Sequence, residues 1–178
     1  MKLLLFLICI PSVLIAQTLP VRDGRVIFEQ ADSSVSATRF ELFKRAKQWI
    51  DLSLKDGLQE VQTFNQETGE ITLLANGNIP TDLLSSPMEK ISFTVNIFVK
   101  DNAFRTELID IVGWPYMKET SKMSIEQLNN RYNNTGKKKE KGTSADSKES
   151  DKITLNNVLM YMNLIQESLR ETLRKNSR

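Results

Sequence analysis

The side chains with the greatest chemical potential in this chain are carboxylates on or beside predicted strands. They are Glu29, Asp32, Glu107 and Asp110. Two acids in one cleft can hydrolyse a glycosidic bond, one as proton donor and the other as nucleophile or base. Since paired strands could bring these acids together, a carboxylate-based hydrolase is one hypothesis. Ordinary solvation of isolated surface acids explains the same residues without any chemistry.

Composition excludes most other catalytic chemistry. The chain has no histidine, and its single cysteine, Cys9, lies in an apolar run at the N-terminus. Without histidine there is no Ser-His-Asp triad. If the N-terminal run is removed by cleavage, Cys9 is lost with it, and the mature protein has no cysteine nucleophile and no cysteine zinc site. No glycine-rich phosphate loop is present either. We therefore expect no enzyme activity, no cofactor and no metal.

Charge balance argues against a nucleic-acid partner. The chain has 24 basic and 22 acidic residues, and its net charge is +2. A surface that binds phosphates usually needs a basic excess gathered on one face. No such excess is visible along the sequence, so we expect a protein or another envelope component as partner.

Residues 1–16 predict a signal peptide. Lys2 is followed by an uncharged apolar run, and small Ala16 precedes polar Gln17. The run is shorter than the roughly 20 apolar residues that span a bilayer. We therefore expect an exported protein, periplasmic or extracellular, with no stable membrane span after cleavage. Two alternatives stay open: an uncleaved anchor, because Leu14 stands where a small residue is usual, and a lipoprotein that carries its lipid on Cys9.

Residues 17–116 predict one α+β domain. A capping box, Thr38 with Glu41, marks the start of a helix that ends at Leu54, with a start one turn earlier, at Ser34 or Ser36, as the alternative. Five segments have strand character: Val26–Ala31, Leu58–Phe64, Glu70–Ala75, Ile91–Lys100 and Phe104–Val112. The strand ending at Lys100 alternates apolar and polar residues, with Phe98 as the one apolar residue among the polar positions.

The segment between the last two predicted strands indicates a two-residue hairpin turn. Asp101 and Asn102 both tolerate left-handed backbone. If they form the whole turn, three pairs face each other across the hairpin: Val99 with Phe104, Ile97 with Thr106, and Val95 with Leu108. A shift of one residue would move the apolar side chains to the opposite face. The pattern therefore predicts the register as well as the hairpin.

The first predicted helix has an apolar stripe at three- and four-residue spacing. Its members are Phe40, Phe43, Ala46, Ile50 and Leu54. Trp49 flanks this stripe. We interpret Trp49 as a half-buried packing residue, with stacking on a ligand as the alternative.

Beyond the domain, residues 117–152 predict a weak helix followed by a mobile charged linker. The weak helix has Met123–Leu128 as its middle, and the linker covers Asn129–Lys152, which is almost free of apolar residues. Residues 153–178 predict an amphipathic helix, from about Thr154 to Lys175, that packs back on the sheet. Its stripe comprises Leu155, Val158, Leu159, Met162, Ile165, Leu169 and Leu173.

Four segments, in this order, carry a resemblance to a known family. They are Leu19–Phe28, Leu42–Trp49, Thr68–Ile71, and Phe93–Asp101 followed by Phe104-Arg105. Together they resemble an uncharacterised family of secreted Bacteroidetes proteins, a domain of unknown function with a TATA-binding-protein-like fold. The resemblance implies a curved antiparallel sheet of about five strands with two helices on one face, similar to a helix-grip arrangement. It brings no catalytic residues, and a fold name alone does not imply DNA binding.

The leading hypothesis is an exported, non-catalytic binding or interaction module of the bacterial cell envelope. The alternative is a small apolar-ligand-binding protein with a pocket between the sheet and the C-terminal helix. The hydrolase is a second alternative. The residues predicted to form the ligand or partner face are Phe93, Val95, Phe104, Met162, Ile165 and Trp49.

The first prediction concerns the N-terminus. If residues 1–16 are a signal peptide, the natural protein begins at or near Gln17. N-terminal sequencing of protein purified from its native source checks this. Recovery of the intact chain, with Met1, from the cytoplasmic fraction would contradict it.

Overall fold

The computed structural model describes residues 19–79, 88–115, 122–134 and 145–175. The predicted signal peptide lies outside these ranges. So do the centre of the predicted linker and residues 80–87, which lie between the third and fourth predicted strands. Eight strands and three helices occur in the described ranges. In chain order they are β1 Val21–Arg22, β2 Arg25–Val26, β3 Phe28–Asp32, α1 Arg39–Ser53, β4 Leu58–Asn65, β5 Glu70–Asn78, β6 Met88–Lys100, β7 Ala103–Pro115, β8 Met123–Ser124, α2 Ile125–Asn134 and α3 Ala145–Arg174.

One antiparallel sheet organises the fold. Its strand order is β3-β7-β6-β5-β4, and β8 pairs with β7 as a sixth strand. The short strands β1 and β2 form a separate hairpin. The α+β class and the antiparallel sheet expected from the sequence are confirmed, with β8 as an addition to the five predicted strands.

The β6–β7 hairpin confirms the predicted register. β6 ends at Lys100 and β7 begins at Ala103, so Asp101 and Asn102 form the whole turn. Asn102 has a φ of 62°, the left-handed conformation that the turn requires. Opposite residues are Val99 and Phe104, Ile97 and Thr106, and Val95 and Leu108. The hairpin therefore places its apolar residues on a single face.

Helix α1 begins at the predicted capping box. The Thr38 hydroxyl accepts a hydrogen bond from the Glu41 backbone N–H, and the Glu41 carboxylate accepts one from the Thr38 N–H at 2.8 Å.

The apolar stripe predicted for α1 needs one correction, because Phe40 is 60% exposed. Leu42 and Trp49 are buried instead, since α1 also faces α3 and its buried side is rotated toward that helix. The Trp49 indole N–H donates to the Ser168 hydroxyl of α3 at 3.1 Å.

The predicted linker is helical at both of its described ends, which corrects the boundaries of residues 117–152. Helix α2 continues to Asn134, and α3 begins at Ala145 and not near Thr154. The polar composition of this stretch gave no indication that its two ends contact each other. The guanidinium of Arg131, on α2, makes a double hydrogen bond with the carboxylate of Asp151, a buried residue on α3. This ion pair joins the two helices in the first turns of α3.

The hydrophobic core lies between the sheet and the helices. Alternate residues of β6, from Ile91 to Val99, are buried on the helix side. Helix α1 packs over β6, and helix α3 packs over β3 and β7. The predicted stripe of α3 contributes buried residues to this core, namely Leu155, Val158, Leu159, Met162, Leu169 and Leu173. In the ranges that the structure describes, no helix is both long enough and apolar enough to span a membrane.

Gly77 of β5 lies directly beneath Tyr161 of α3. A Cβ atom at this position would lie 2.7 Å from Cε1 of the Tyr161 ring and closer still to its hydroxyl oxygen. Ordinary carbon contacts are about 3.5–4.0 Å. The Tyr161 ring therefore occupies the space that a side chain at residue 77 would need.

The second prediction tests this contact. Gly77→Ala should lower the free energy of unfolding by about 1–3 kcal/mol, because the new methyl group forces Tyr161 away. In a Tyr161→Ala background the same change should become neutral or stabilising by about 0.5–1 kcal/mol, since alanine suits a strand better than glycine. Urea denaturation of the four proteins in this double-mutant cycle measures the coupling. Equal effects in both backgrounds would contradict the contact.

Candidate functional site

The sheet has one face against the helices and one face away from them. Side chains alternate along a strand, and the residues of β6 that point away from the core are Ser92, Thr94, Asn96, Phe98 and Lys100. The first four are half-buried and Lys100 is exposed. We call the side of the sheet opposite α1 and α3 the open face.

A cleft of about 510 Å³ lies at the end of the sheet where the β6–β7 hairpin turns. Part of its lining is one row across four strands of the open face, formed by Glu70, Phe98, Arg105 and Ala31, each directly opposite the next. The full lining is Ala31, Asp32, Ser33, Thr68, Glu70, Phe98, Val99, Lys100, Ala103, Phe104 and Arg105. The cleft is therefore built by β3, β5, β6 and β7 together.

Side-chain size explains why this end of the sheet is hollow. Ala31 is opposite Arg105, and Ala103 is opposite Lys100. Two alanines on neighbouring strands leave space between the larger side chains of Phe98, Lys100 and Arg105. A substitution that enlarges Ala31, which is exposed, would fill this space.

Arg105 is held in the cleft from two sides. Its guanidinium lies 4.6 Å from the centre of the Phe98 ring, a cation–π contact. It also lies 3.7 Å from the carboxylate of Glu107. The Glu107 carboxylate also accepts a hydrogen bond from the side-chain amide of Asn96, at 3.4 Å. These contacts orient Arg105, and its side chain still has 49% of its area exposed.

Asp32 lies at the edge of the cleft and is fixed by three donors. Its carboxylate accepts hydrogen bonds from the Ser34 backbone N–H at 2.9 Å and from the Ser34 hydroxyl at 2.8 Å. The third donor is the guanidinium of Arg174, at the end of α3. The Ser34 hydrogen bonds, followed by Arg174, lower the pKa of Asp32 to about 2. Asp32 thus joins the end of β3 to the end of α3.

The residues predicted to form a ligand or partner face lie mainly in the core. Trp49, Phe93, Val95 and Met162 are at most 1% exposed, Phe104 is buried, and Ile165 is half-buried and packs against the same core. Their own side chains occupy the space between the sheet and α3 where an apolar ligand was expected. The prediction of a face reachable by a partner is therefore wrong for these core residues, although Phe104 also borders the cleft.

The sequence contained one signal for the cleft that the prediction did not use. Phe98 interrupts the alternation of β6 by placing an aromatic ring among polar residues. In the structure that ring lies on the open face and supports Arg105. An aromatic residue at a solvent-facing position is a reason to look for a binding surface. The small residues Ala31 and Ala103 gave no comparable signal, because their role depends on strand pairing.

Two of the four carboxylates considered for hydrolysis do converge. Glu29 and Glu107 are directly opposite on β3 and β7, and both lie on the open face. Each has an arginine partner: Glu29 pairs with Arg22 at 2.8 Å, and Glu107 with Arg105. These ion pairs give both acids a structural role.

Across the described ranges, no group of three or more acidic, histidine or cysteine residues could hold a metal ion.

Two solved structures show the same fold. One is a TBP-like protein from Parabacteroides distasonis, with a TM-score of 0.58 and 18% identity, covering 85% of this chain and 97% of that one. The other is a DUF4468 family protein from Bacteroides ovatus, with a TM-score of 0.60 and 16% identity, covering 89% of this chain and 91% of that one. The fold is therefore TBP-like.

A family model also matches part of the sequence. Residues 30–113 match the model of a domain of unknown function with a TBP-like fold, DUF4468. The resemblance to this family found in the sequence is therefore confirmed. None of the curated proteins matches the chain.

The third prediction concerns the contribution of Asp32 to the stability of the folded protein at low pH. Its pKa in the folded protein, about 2, is below the ordinary value of 3.8. The stabilisation is therefore complete above about pH 4 and is lost as the pH falls toward 2. Asp32→Asn should destabilise the protein at neutral pH and make the loss of stability between pH 4 and 2 less steep. Thermal melts across this range measure the slope, with Asp56→Asn at an exposed turn as the control. An unchanged slope in Asp32→Asn would contradict the prediction.

Proposed function

We propose that this protein is an exported, non-catalytic binding module of the bacterial cell envelope, and that it contacts its partner through the cleft on the open face. The observation that carries the proposal is the cleft itself, with its volume of about 510 Å³ and its lining from four strands. Binding sites are usually concave, largely preformed, and lined by apolar groups with a few fixed polar ones. Phe98 with the two alanines, and Arg105 held by Phe98 and Glu107, match that description.

Two further observations support a binding role over the alternatives. The acids that could have served hydrolysis, Glu29 and Glu107, each have an arginine partner. Buried side chains fill the region between the sheet and α3 that an apolar ligand would need. The cleft on the other side of the sheet is not filled by side chains of the protein.

Export is the second part of the proposal. It rests on the N-terminal sequence, in which Lys2, an uncharged apolar run and Ala16 have the order of a signal peptide. A protein with this leader and no catalytic signature is most simply an adaptor or receptor component outside the cytoplasm. Its partner is then another protein or an envelope component.

The fourth prediction tests the cleft as the contact surface. Ala31→Trp should fill the cleft without entering the core, because residue 31 is exposed on the open face. Tagged protein incubated with envelope fractions should lose its specific partner when it carries Ala31→Trp. Mass spectrometry compares the retained proteins, and circular dichroism checks that the variant is folded.

The matched control is Glu29→Trp. Residue 29 is exposed and lies two positions earlier on the same strand and face, but it does not line the cleft. This variant should retain the partner. If folded Ala31→Trp protein retains the same partner as the parent, the contact lies elsewhere and the proposal is wrong.

A further inference from the structure

We propose that the cleft binds an acidic, extended segment of a partner protein, with one carboxylate of that segment held between Lys100 and Arg105. This inference rests on the proposed function and specifies the chemistry of the partner. It follows from the positions of the two cations, from the charges around them and from the length of the cleft.

The strand register brings the two cations onto one surface. Arg105 of β7 is directly opposite Phe98 of β6, and Lys100 is two residues further along β6. Both therefore point to the open face as diagonal neighbours, whose Cβ atoms are about 7–8 Å apart in an antiparallel pair. Two long side chains at that spacing can each donate to one carboxylate. Ala103, opposite Lys100, leaves room for it.

The charges around the cleft favour an anion at this position. The Lys100 ammonium has no ion-pair partner among the residues that the structure describes, and Arg105 is half exposed beside Glu107. Asp32, the acid at the β3 side, is already paired with Arg174. Glu70 is the remaining acid of the lining, and it lies on β5, on the far side of Phe98. The positive end of the cleft is therefore at β6 and β7, and the negative end at β5.

The dimensions of the cleft favour an extended chain over a small anion. Its row of residues crosses four strands, and neighbouring strands are about 4.8 Å apart, so the row is about 14 Å long. An extended segment rises about 3.3 Å per residue, so about four residues would cover this distance. Phe98 and the two alanines provide an apolar surface beside the cations. A carboxylate next to an apolar side chain matches this arrangement.

The experiment uses two peptides and the full-length, ¹⁵N-labelled chain. The probe is acetyl-Gly-Glu-Phe-Gly-amide, and its neutral counterpart has glutamine in place of glutamate. NMR titration should show saturable shifts for the amides of Phe98, Lys100, Ala103 and Arg105 with the glutamate peptide. Glutamine has one acceptor oxygen in place of the two of the carboxylate, so it loses at least one charge-assisted hydrogen bond and should bind about tenfold more weakly.

Variants of the chain test the two cations separately. Lys100→Gln and Arg105→Gln should each weaken the glutamate peptide about tenfold and leave the glutamine peptide nearly unchanged. Glu70→Gln should strengthen the glutamate peptide, because it removes a like charge. Lys44→Gln, which removes an exposed lysine on α1 away from the cleft, is the matched control and should have no effect.

Three outcomes would overturn the inference. They are absence of saturable shifts with the glutamate peptide, equal affinity for both peptides, and displacement of the glutamate peptide by acetylglycine at equal concentration. The last result would assign the site to small free carboxylates. If Ala31→Trp still abolishes capture of the envelope partner while either of the first two results holds, the contact surface stands and only its acidic specificity is wrong.

Discussion

The fold depends on covering one apolar face of the sheet with α3. Strand β6 presents buried residues from Ile91 to Val99 at every second position, and these residues need a second layer. Burying each large aliphatic or aromatic side chain contributes about 1.5–3 kcal/mol. The first helix packs over β6, and α3 packs beside it over β3 and β7. Because both helices lie on one side, neither of them covers the other side of the sheet.

Polar contacts along α3 fix its position and do not drive its packing. Asp151 is tied to Arg131 of α2, and the Gln166 side chain donates to the Phe28 carbonyl at 2.6 Å. The Arg45 guanidinium donates to the Leu173 carbonyl at 2.8 Å, near the C-terminal end of the helix. Buried polar groups without partners are costly. A sliding movement of α3 by one turn would break all of these pairs, so they select one register of the helix on the sheet.

Much of this architecture was predictable because the responsible forces are local. The period-two pattern of β6, followed by Asp101-Asn102, was sufficient to predict every facing pair that was named across the hairpin. The capping box located the start of α1 for the same reason.

The features that were not predicted depend on residues far apart in the sequence. Phe40 was predicted incorrectly because the rotation of α1 depends on α3, which is over 100 residues away. The Arg131–Asp151 pair joins two polar stretches that each resemble a linker when read alone. The cleft was missed because it needs β3, β5, β6 and β7 to be paired before Ala31, Phe98 and Arg105 become neighbours.

The contact between α3 and β3 also constrains the order in which the molecule can form. Gln166 bonds to Phe28 across 138 residues of sequence, and Arg174 reaches Asp32 across 142. Domains dominated by such distant contacts fold slowly, because the entropy of closing long loops is lost before the contacts form. The edge strand β3 obtains its partner helix only when the C-terminal residues have left the ribosome. A nascent chain therefore cannot complete the contact between β3 and α3 until residues 166–174 have been synthesised.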